Sequence, residues 1–332
     1  MIRVAILSFW HVHATDYARE AIDDPRTQII GVWDEDAERG RAEAASLGVP
    51  FHDDLTELLA VPELDGVIVT TPTNAHRAVM VAAADAGKHI FTEKVLALTP
   101  ADCQAILDAV ERKEVTLTVS LPRLAHGYAR AIRAVLDDKR LGEVTLVRTR
   151  LSHDGALGEG WLPAHFFDRE RAGGGALVDL GCHPMYLTRL FLGEMPDRLT
   201  AVFGHLTDRA VEDNAAALLG LSSGAIGVVE AGFVNTSSPF SIEVHGTNGS
   251  LFYGTPEPRL LLRTSRSSTG EDWTEVPIPD DSPSPFEQWV GHIEDGTKAV
   301  ENIALAVELT TLMDAASRSA RTGETVRLAA DS

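Results

Sequence analysis

Asp179 and His183 lie four residues apart in the run Gly173-Gly174-Gly175-Ala176-Leu177-Val178-Asp179-Leu180-Gly181-Cys182-His183. On a helix spanning Ala176–Leu192, that spacing puts both side chains on one face. A histidine that titrates near neutrality beside a carboxylate is a competent proton carrier. The same pair also reads as a capping aspartate and a buried, hydrogen-bonded histidine. Pro184 cannot donate to the Leu180 carbonyl, so this helix is expected to bend there. Lys94, in Glu93-Lys94-Val95, leaves the end of a buried apolar run. An ammonium is costly to bury without a partner, so Lys94 either reaches solvent or serves a cleft.

A second group of candidates sits after other apolar runs. Where a dinucleotide fold would place Gly-x-Gly-x-x-Gly, the chain reads Ser8-Phe9-Trp10-His11-Val12-His13. Trp10 would crowd a pyrophosphate unless its ring turns away, while His11 and His13 could donate to phosphate. The alternative is that these side chains line a pocket holding no dinucleotide. Asp34 ends the next run, where a carboxylate can accept both hydroxyls of an adenosine ribose and repel a 2′-phosphate. It reads equally as the N-cap of a helix from Ala37. In Thr71-Pro72-Thr73-Asn74-Ala75-His76, Thr73 or Asn74 can cap the following helix, and the exposed helix amides could also face a cofactor. Between Ser152 and Arg171, Trp161, His165, Phe166 and Phe167 offer flat surface to a sugar ring, or pack a domain interface. Arg123, His126 and Tyr186 are further substrate candidates, and Arg123 suits a carboxylated substrate.

The elements that must position these residues follow from periodicity. The chain has 332 residues, enough for two domains. Up to Ser120, continuous Val/Ile-rich runs (Arg3–Leu7, Gln28–Trp33, Gly66–Thr71, Lys88–Thr92, Val115–Ser120) alternate with amphipathic stretches (Ala14–Ile22, Ala37–Leu47, Ala75–Ala86, Pro100–Arg112). That pattern predicts a doubly wound α/β fold with a parallel sheet covered on both faces. Beyond it come helical Gly127–Leu136, a strand at Glu143–Arg150, and strand-like segments from Leu199 to Thr264 separated by turn residues. Asp280–Pro285 reads as a polar loop, and a last helix covers about Glu301–Arg318. This half reads as α+β with a mostly antiparallel sheet. The expected domains are therefore residues 1–121, binding a dinucleotide, and 122–332, serving substrate and oligomerisation.

With 29 Lys+Arg against 49 Asp+Glu, the net charge is −20, which disfavours nucleic acid and anionic membranes. Two cysteines and no long apolar stretch point to a reduced, cytoplasmic protein.

In order and spacing, Thr71–His76, Ala86-Gly87-Lys88-His89-Ile90, Glu93-Lys94, Gly173–His183, Val244-His245-Gly246-Thr247-Asn248-Gly249-Ser250 and Ser317-Arg318-Ser319-Ala320-Arg321-Thr322-Gly323 resemble the Gfo/Idh/MocA oxidoreductases. The resemblance implies a Rossmann domain, an open-sheet substrate domain, a bound nicotinamide cofactor, and assembly as a homodimer or homotetramer. It also implies hydride transfer at a secondary alcohol of a sugar or cyclitol, with Lys94, Asp179 and His183 serving catalysis. Cofactor contacts would fall on Ser8, Trp10, His11, Val12, His13, Asp34, Thr71, Pro72, Thr73, Asn74, His76, Glu93 and Lys94. Two positions depart from the family pattern: the glycine-free loop, and Val95 in place of a proline. The main expectation is an NAD-dependent dehydrogenase, with NAD favoured over NADP. His183 would take the hydroxyl proton, Lys94 would hydrogen-bond the same oxygen, and Asp179 would orient His183 or grip a neighbouring hydroxyl. The alternatives are a redox-neutral lyase or glycosidase using NAD transiently, and a non-catalytic sugar or dinucleotide sensor. No metal is expected, a site from Asp179, His183, His153 and His165 being a minor possibility.

Overall fold

The first apolar run lies between two parallel neighbours, which is why it carries no polar alternation. The computed structural model describes residues 1–158, 160–237, 239–265 and 272–328. In chain order the first elements are β1 (Ile2–Leu7), α1 (Ala14–Asp23), β2 (Thr27–Trp33), α2 (Ala37–Leu47), β3 (Phe51–His52) and α3 (Leu55–Leu59). They continue with β4 (Gly66–Val69), α4 (His76–Asp85), β5 (His89–Thr92), α5 (Pro100–Lys113) and β6 (Leu117–Val119). The six strands are parallel and ordered β3-β2-β1-β4-β5-β6. Strand order reverses beside β1, so the carboxyl ends of β1 and β4 form the switch point at which such sheets bind ligands. The doubly wound parallel sheet read from the sequence is the one observed.

Next come α6 (Gly127–Asp137), β7 (Val144–Ser152), α7 (Arg169–Ala172), α8 (Ala176–Asp179), α9 (Cys182–Leu192), β8 (Arg198–Gly204), β9 (Asn214–Gly220) and β10 (Ile226–Gly232). The chain then forms β11 (Phe240–Gly246), β12 (Gly249–Gly254), β13 (Arg259–Thr264), β14 (Thr274–Glu275), α10 (Pro285–Asp295), α11 (Val300–Thr322) and β15 (Val326–Arg327). The nine strands are ordered β14-β13-β12-β11-β7-β10-β9-β8-β15, antiparallel except between β7 and β10. Thr247 and Asn248 link β11 to β12, with Gly246 paired to Gly249; neither Asn248 nor Gly249 takes a positive φ, so the connection is not the Asn-Gly turn that the sequence suggests.

Contacts divide the chain into one unit of Met1–Leu121 with Pro283–Thr310, and another of Pro122–Ser282 with Thr311–Ser332. Residues 283–310 thus join the first unit, whereas their position in the sequence groups them with the second. The reason lies in α10, which starts right after the polar loop. Ser284 and Glu287 form a reciprocal capping box and Pro285 occupies the first turn. Its apolar face, Phe286, Trp289 and Val290, enters the core formed with Ile6, Tyr17, Ile68 and Phe91.

The helix expected over Ala176–Leu192 is interrupted. α8 ends at Asp179 and α9 begins at Cys182, so the break precedes Pro184 instead of centring on it. Pro184 is the third residue of α9, where a backbone N–H has no intrahelical acceptor to lose. Asp179 and His183 therefore do not share one continuous helix face. Among the described residues, no helix is long and apolar enough to cross a membrane.

Candidate functional site

In the first unit the turn after β1 is made without glycine. Ser8 takes a left-handed backbone (φ +80°), the conformation glycine adopts most readily. Neighbouring side chains hold it there: the Ser8 hydroxyl accepts the Trp10 N–H at 3.0 Å, and the Thr70 hydroxyl donates to the Ser8 carbonyl at 2.5 Å. Trp10 is buried, whereas Val12 is exposed.

Asp34 sits at the end of β2 with a fully buried side chain. One oxygen accepts the Phe9 N–H at 2.8 Å and Arg39 Nε at 2.9 Å; the other accepts the Asp36 N–H at 2.8 Å and an Arg39 amino group at 2.6 Å. Asp36, not Asp34, caps α2, accepting from the backbone of Glu38 and Arg39. Arg39 also reaches Glu35 at 2.8 Å. Sequence reasoning did not single out Arg39, although its place in the first turn of α2 beside Asp34 was the available signal.

The segment after β4 carries a buried Thr71 whose hydroxyl has no hydrogen-bond partner among the described residues. Its position at the switch point fits a dinucleotide. Pro72 is buried, Thr73 half-buried and Asn74 exposed. Neither Thr73 nor Asn74 caps α4, contrary to expectation. His76 is buried and both ring nitrogens contact backbone carbonyls of this chain. Its Nδ1 lies 3.0 and 3.2 Å from the Val95 and Leu96 carbonyls, and its Nε2 lies 3.2 Å from the Thr71 carbonyl. Burial holds this ring below the usual imidazole range against the pull of those carbonyls. His76 therefore ties the Thr71 turn to the segment that follows Lys94.

At the end of β5, Glu93 and Lys94 are both buried, and the Lys94–Val95 peptide is cis. Glu93 Oε1 contacts His13 Nδ1 at 2.8 Å and accepts from the Tyr17 hydroxyl, while Oε2 accepts the Lys94 N–H at 2.6 Å. His11 Nδ1 lies 3.7 Å from the same Oε1. Burial alone would raise this carboxyl, but His11, His13 and Lys94 bring it well below the carboxylate range. His11 and His13 thus face Glu93. Tyr17, also missed from sequence, is pushed well above the usual phenol range by burial and by Glu93, so it stays a proton donor.

In the second unit, His183 is the second residue of α9 and its Nδ1 lies 3.2 Å from the Tyr186 hydroxyl. Burial pushes Tyr186 well above the phenol range, so this hydroxyl keeps its proton. Its oxygen also accepts the Arg123 N–H at 3.1 Å. The Arg123 guanidinium lies 4.4 Å over the Phe240 ring. Its Nε is buried without a hydrogen-bond partner, and no carboxylate pairs with it among the described residues. His126 pairs instead with Asp281 at 2.7 Å.

Asp179 is half-buried, and its charge opposes the lowering of His153 by burial. The start of α8 is fixed by Glu212, a residue with no sequence signal, whose buried carboxylate accepts the Gly175 and Leu177 N–H groups at 2.9 and 3.2 Å. A Cβ on Gly175 would lie 2.0 Å from the Glu212 carbonyl oxygen, so glycine is required there.

The aromatic candidates separate by burial. Phe166 and Phe167 are buried, Phe167 against Phe233 and under the Arg209 guanidinium. Phe166 lies against the His165 ring. Trp161 is 60% exposed, with its indole N–H on Asp154 at 3.0 Å, and His165 is half-buried beside Phe166.

Known proteins match both units. A model of the oxidoreductase family with NAD-binding Rossmann fold covers residues 2–121, and a GFO/IDH/MocA C-terminal domain model covers residues 129–252. The 1,5-anhydro-D-fructose reductase of Ensifer adhaerens is 30% identical over 251 residues, spanning 72% of this chain and 73% of the reductase. Inositol 2-dehydrogenase of Rhizobium meliloti is 27% identical over 292 residues, spanning 86% and 84%. Among solved structures, the aldose-aldose oxidoreductase from Caulobacter crescentus complexed with glycerol superposes with a TM-score of 0.83 at 22% identity, covering 98% and 99%, a likeness of fold.

Proposed function

Because the chain belongs to the Gfo/Idh/MocA family of oxidoreductases, we propose that it is an NAD-dependent dehydrogenase or reductase. Its substrate is a secondary alcohol or ketone of a sugar, cyclitol or related polyol. The observation that carries the cofactor half of this reading is the buried, unpartnered Thr71 hydroxyl at the switch point, beside the left-handed Ser8. Ser8, Thr71 and the Asp34–Arg39 pair would hold the dinucleotide, whose nicotinamide supplies the hydride acceptor or donor.

The chemical roles follow from residue type and from the family resemblance. His183 accepts the hydroxyl proton as hydride leaves the carbinol carbon, and the Tyr186 hydroxyl at its Nδ1 positions the ring. Lys94 stabilises the negative charge that develops on the reacting oxygen. Asp179 grips a neighbouring hydroxyl, and the exposed Trp161 indole offers a face to the sugar ring.

NAD is preferred over NADP because Arg39, the cation beside the ribose position, is already shared between Asp34 and Glu35. Calorimetric titration is expected to give micromolar NAD(H) binding and binding of NADP(H) weaker by at least about tenfold. Asp34→Asn releases Arg39 toward a 2′-phosphate and is expected to erase or invert that preference. An unchanged ratio in the variant would remove Asp34 from cofactor selection, and no binding of either dinucleotide at millimolar levels would overturn the dehydrogenase reading.

One observation favours a narrower substrate class. The Arg123 guanidinium, whose charge acts on the Tyr186 hydroxyl and whose Nε has no partner among the described residues, suits a sugar acid. A panel of neutral polyols and aldonic or uronic acids decides it: Arg123→Ala should raise KM for the acids and leave the neutral compounds unaffected.

Val202, Leu218 and Ile226 share one face of β8, β9 and β10 and are 70%, 54% and 44% exposed. We assign that face to a homodimer or homotetramer interface, which a molecular mass from light scattering tests. A reduced cytoplasmic setting suits the two buried cysteines, Cys103 and Cys182.

A further inference from the structure

We propose that His11, His13 and Glu93 form a binding site for a divalent transition ion of the zinc class. The three come from the carboxyl ends of β1 and β5, and one donor atom from each lies within 4.8 Å of the other two. The closest approaches are 2.8 Å between His13 Nδ1 and Glu93 Oε1, and 3.7 Å between His11 Nδ1 and the same oxygen. A tetrahedral ion with bonds of about 2.1 Å spaces its ligands about 3.4 Å apart, so shifts of about an ångström close the site.

Two imidazoles and one carboxylate suit zinc, iron(II), cobalt(II) or nickel(II); magnesium and calcium take oxygen donors. The carboxylate is held by second contacts. Tyr17, itself hydrogen-bonded to Ser120 at 2.8 Å, donates to Oε1, and the Lys94 backbone donates to Oε2. Such outer partners orient a ligand and keep it charged. His11 and Glu93 are enclosed, but the His13 side chain is 40% exposed. An ion can therefore enter past His13 and complete its coordination with water, the arrangement of an open site and not a sealed structural one. Occupancy would offset the Glu93 charge immediately before Lys94 in the chain.

The test uses full-length protein stripped with a chelator and titrated with zinc chloride by calorimetry, with zinc content measured after gel filtration. The expected result is one zinc per chain with Kd of about 10 µM or tighter, and a melting temperature that rises with zinc. His13→Ala should weaken binding by about 100-fold or more. His13 is chosen because it is partly exposed; His13→Gln, which keeps a polar side chain of similar reach, is the second variant. Absence of stoichiometric zinc at concentrations up to about 100 µM would overturn the assignment. So would zinc binding that both His13 variants retain at wild-type affinity, since the ion would then lie elsewhere.

Discussion

Alanine at Lys94 or at His183 is expected to lower kcat by about 10²–10⁴-fold while leaving NADH binding within a few-fold of wild type. The two losses differ in kind. In the proposed mechanism His183 is the proton acceptor, so His183→Ala removes the group that takes the hydroxyl proton. In the same proposal Lys94 supplies positive charge where an alkoxide develops, and a planar guanidinium does not replace the compact ammonium, so Lys94→Arg should not restore turnover. Cofactor binding is expected to survive because neither change removes the proposed dinucleotide contacts, Ser8, Thr71 and the Asp34–Arg39 pair. Steady-state rates on an active polyol, with calorimetry of NADH on the same preparations, check both halves. Wild-type kcat in both variants would sink the catalytic assignment.

The second large effect is on stability. Trp289→Ala should cost about 3–5 kcal/mol and lower the melting temperature by about 10 °C or more. Trp289 is fully buried, with Phe91 and Phe286 ring centroids at 6.0 and 5.6 Å. A Cβ on Gly66 would stand 3.0 Å from its ring, so β4 runs directly under the indole and cannot relax into the cavity. Trp289→Phe should recover much of the loss, because it keeps an aromatic ring in the same contacts. Thermal denaturation followed by circular dichroism measures both variants. A cost for Trp289→Ala below about 1 kcal/mol would mean that α10 does not complete this core.

The parallel sheet was legible because its strands are buried on both faces and read as unbroken apolar runs; α2 was legible to its end residues, Ala37 and Leu47. α10 was missed although its signals are local: Phe286, Trp289, Val290 and Ile293 follow helical spacing behind a Ser284–Glu287 capping box. The polar run before Pro285 obscured them. β3 and α3, of two and five residues, are too short for periodicity to register. Among the candidate residues, Glu93, Lys94 and His183 stood out through residue type and position. Tyr17 and Glu212 did not, because each acts through partners 76 and 37 residues away in the chain. Asp34 announced itself as a carboxylate at a strand end, but its engagement with Arg39 depends on side-chain geometry that no motif encodes.

The return of residues 283–310 to the first unit has a consequence for the order of events on the ribosome. About 160 residues separate Leu121 from Pro283. At about 5–20 residues per second, roughly 10–30 s of synthesis pass before α10 emerges. Throughout that interval the nascent β1–β6 sheet lacks Phe286 and Trp289, and the apolar surface they cover stays open to solvent or to a chaperone. Completion of the first-made half of this enzyme is therefore a late event in its biogenesis.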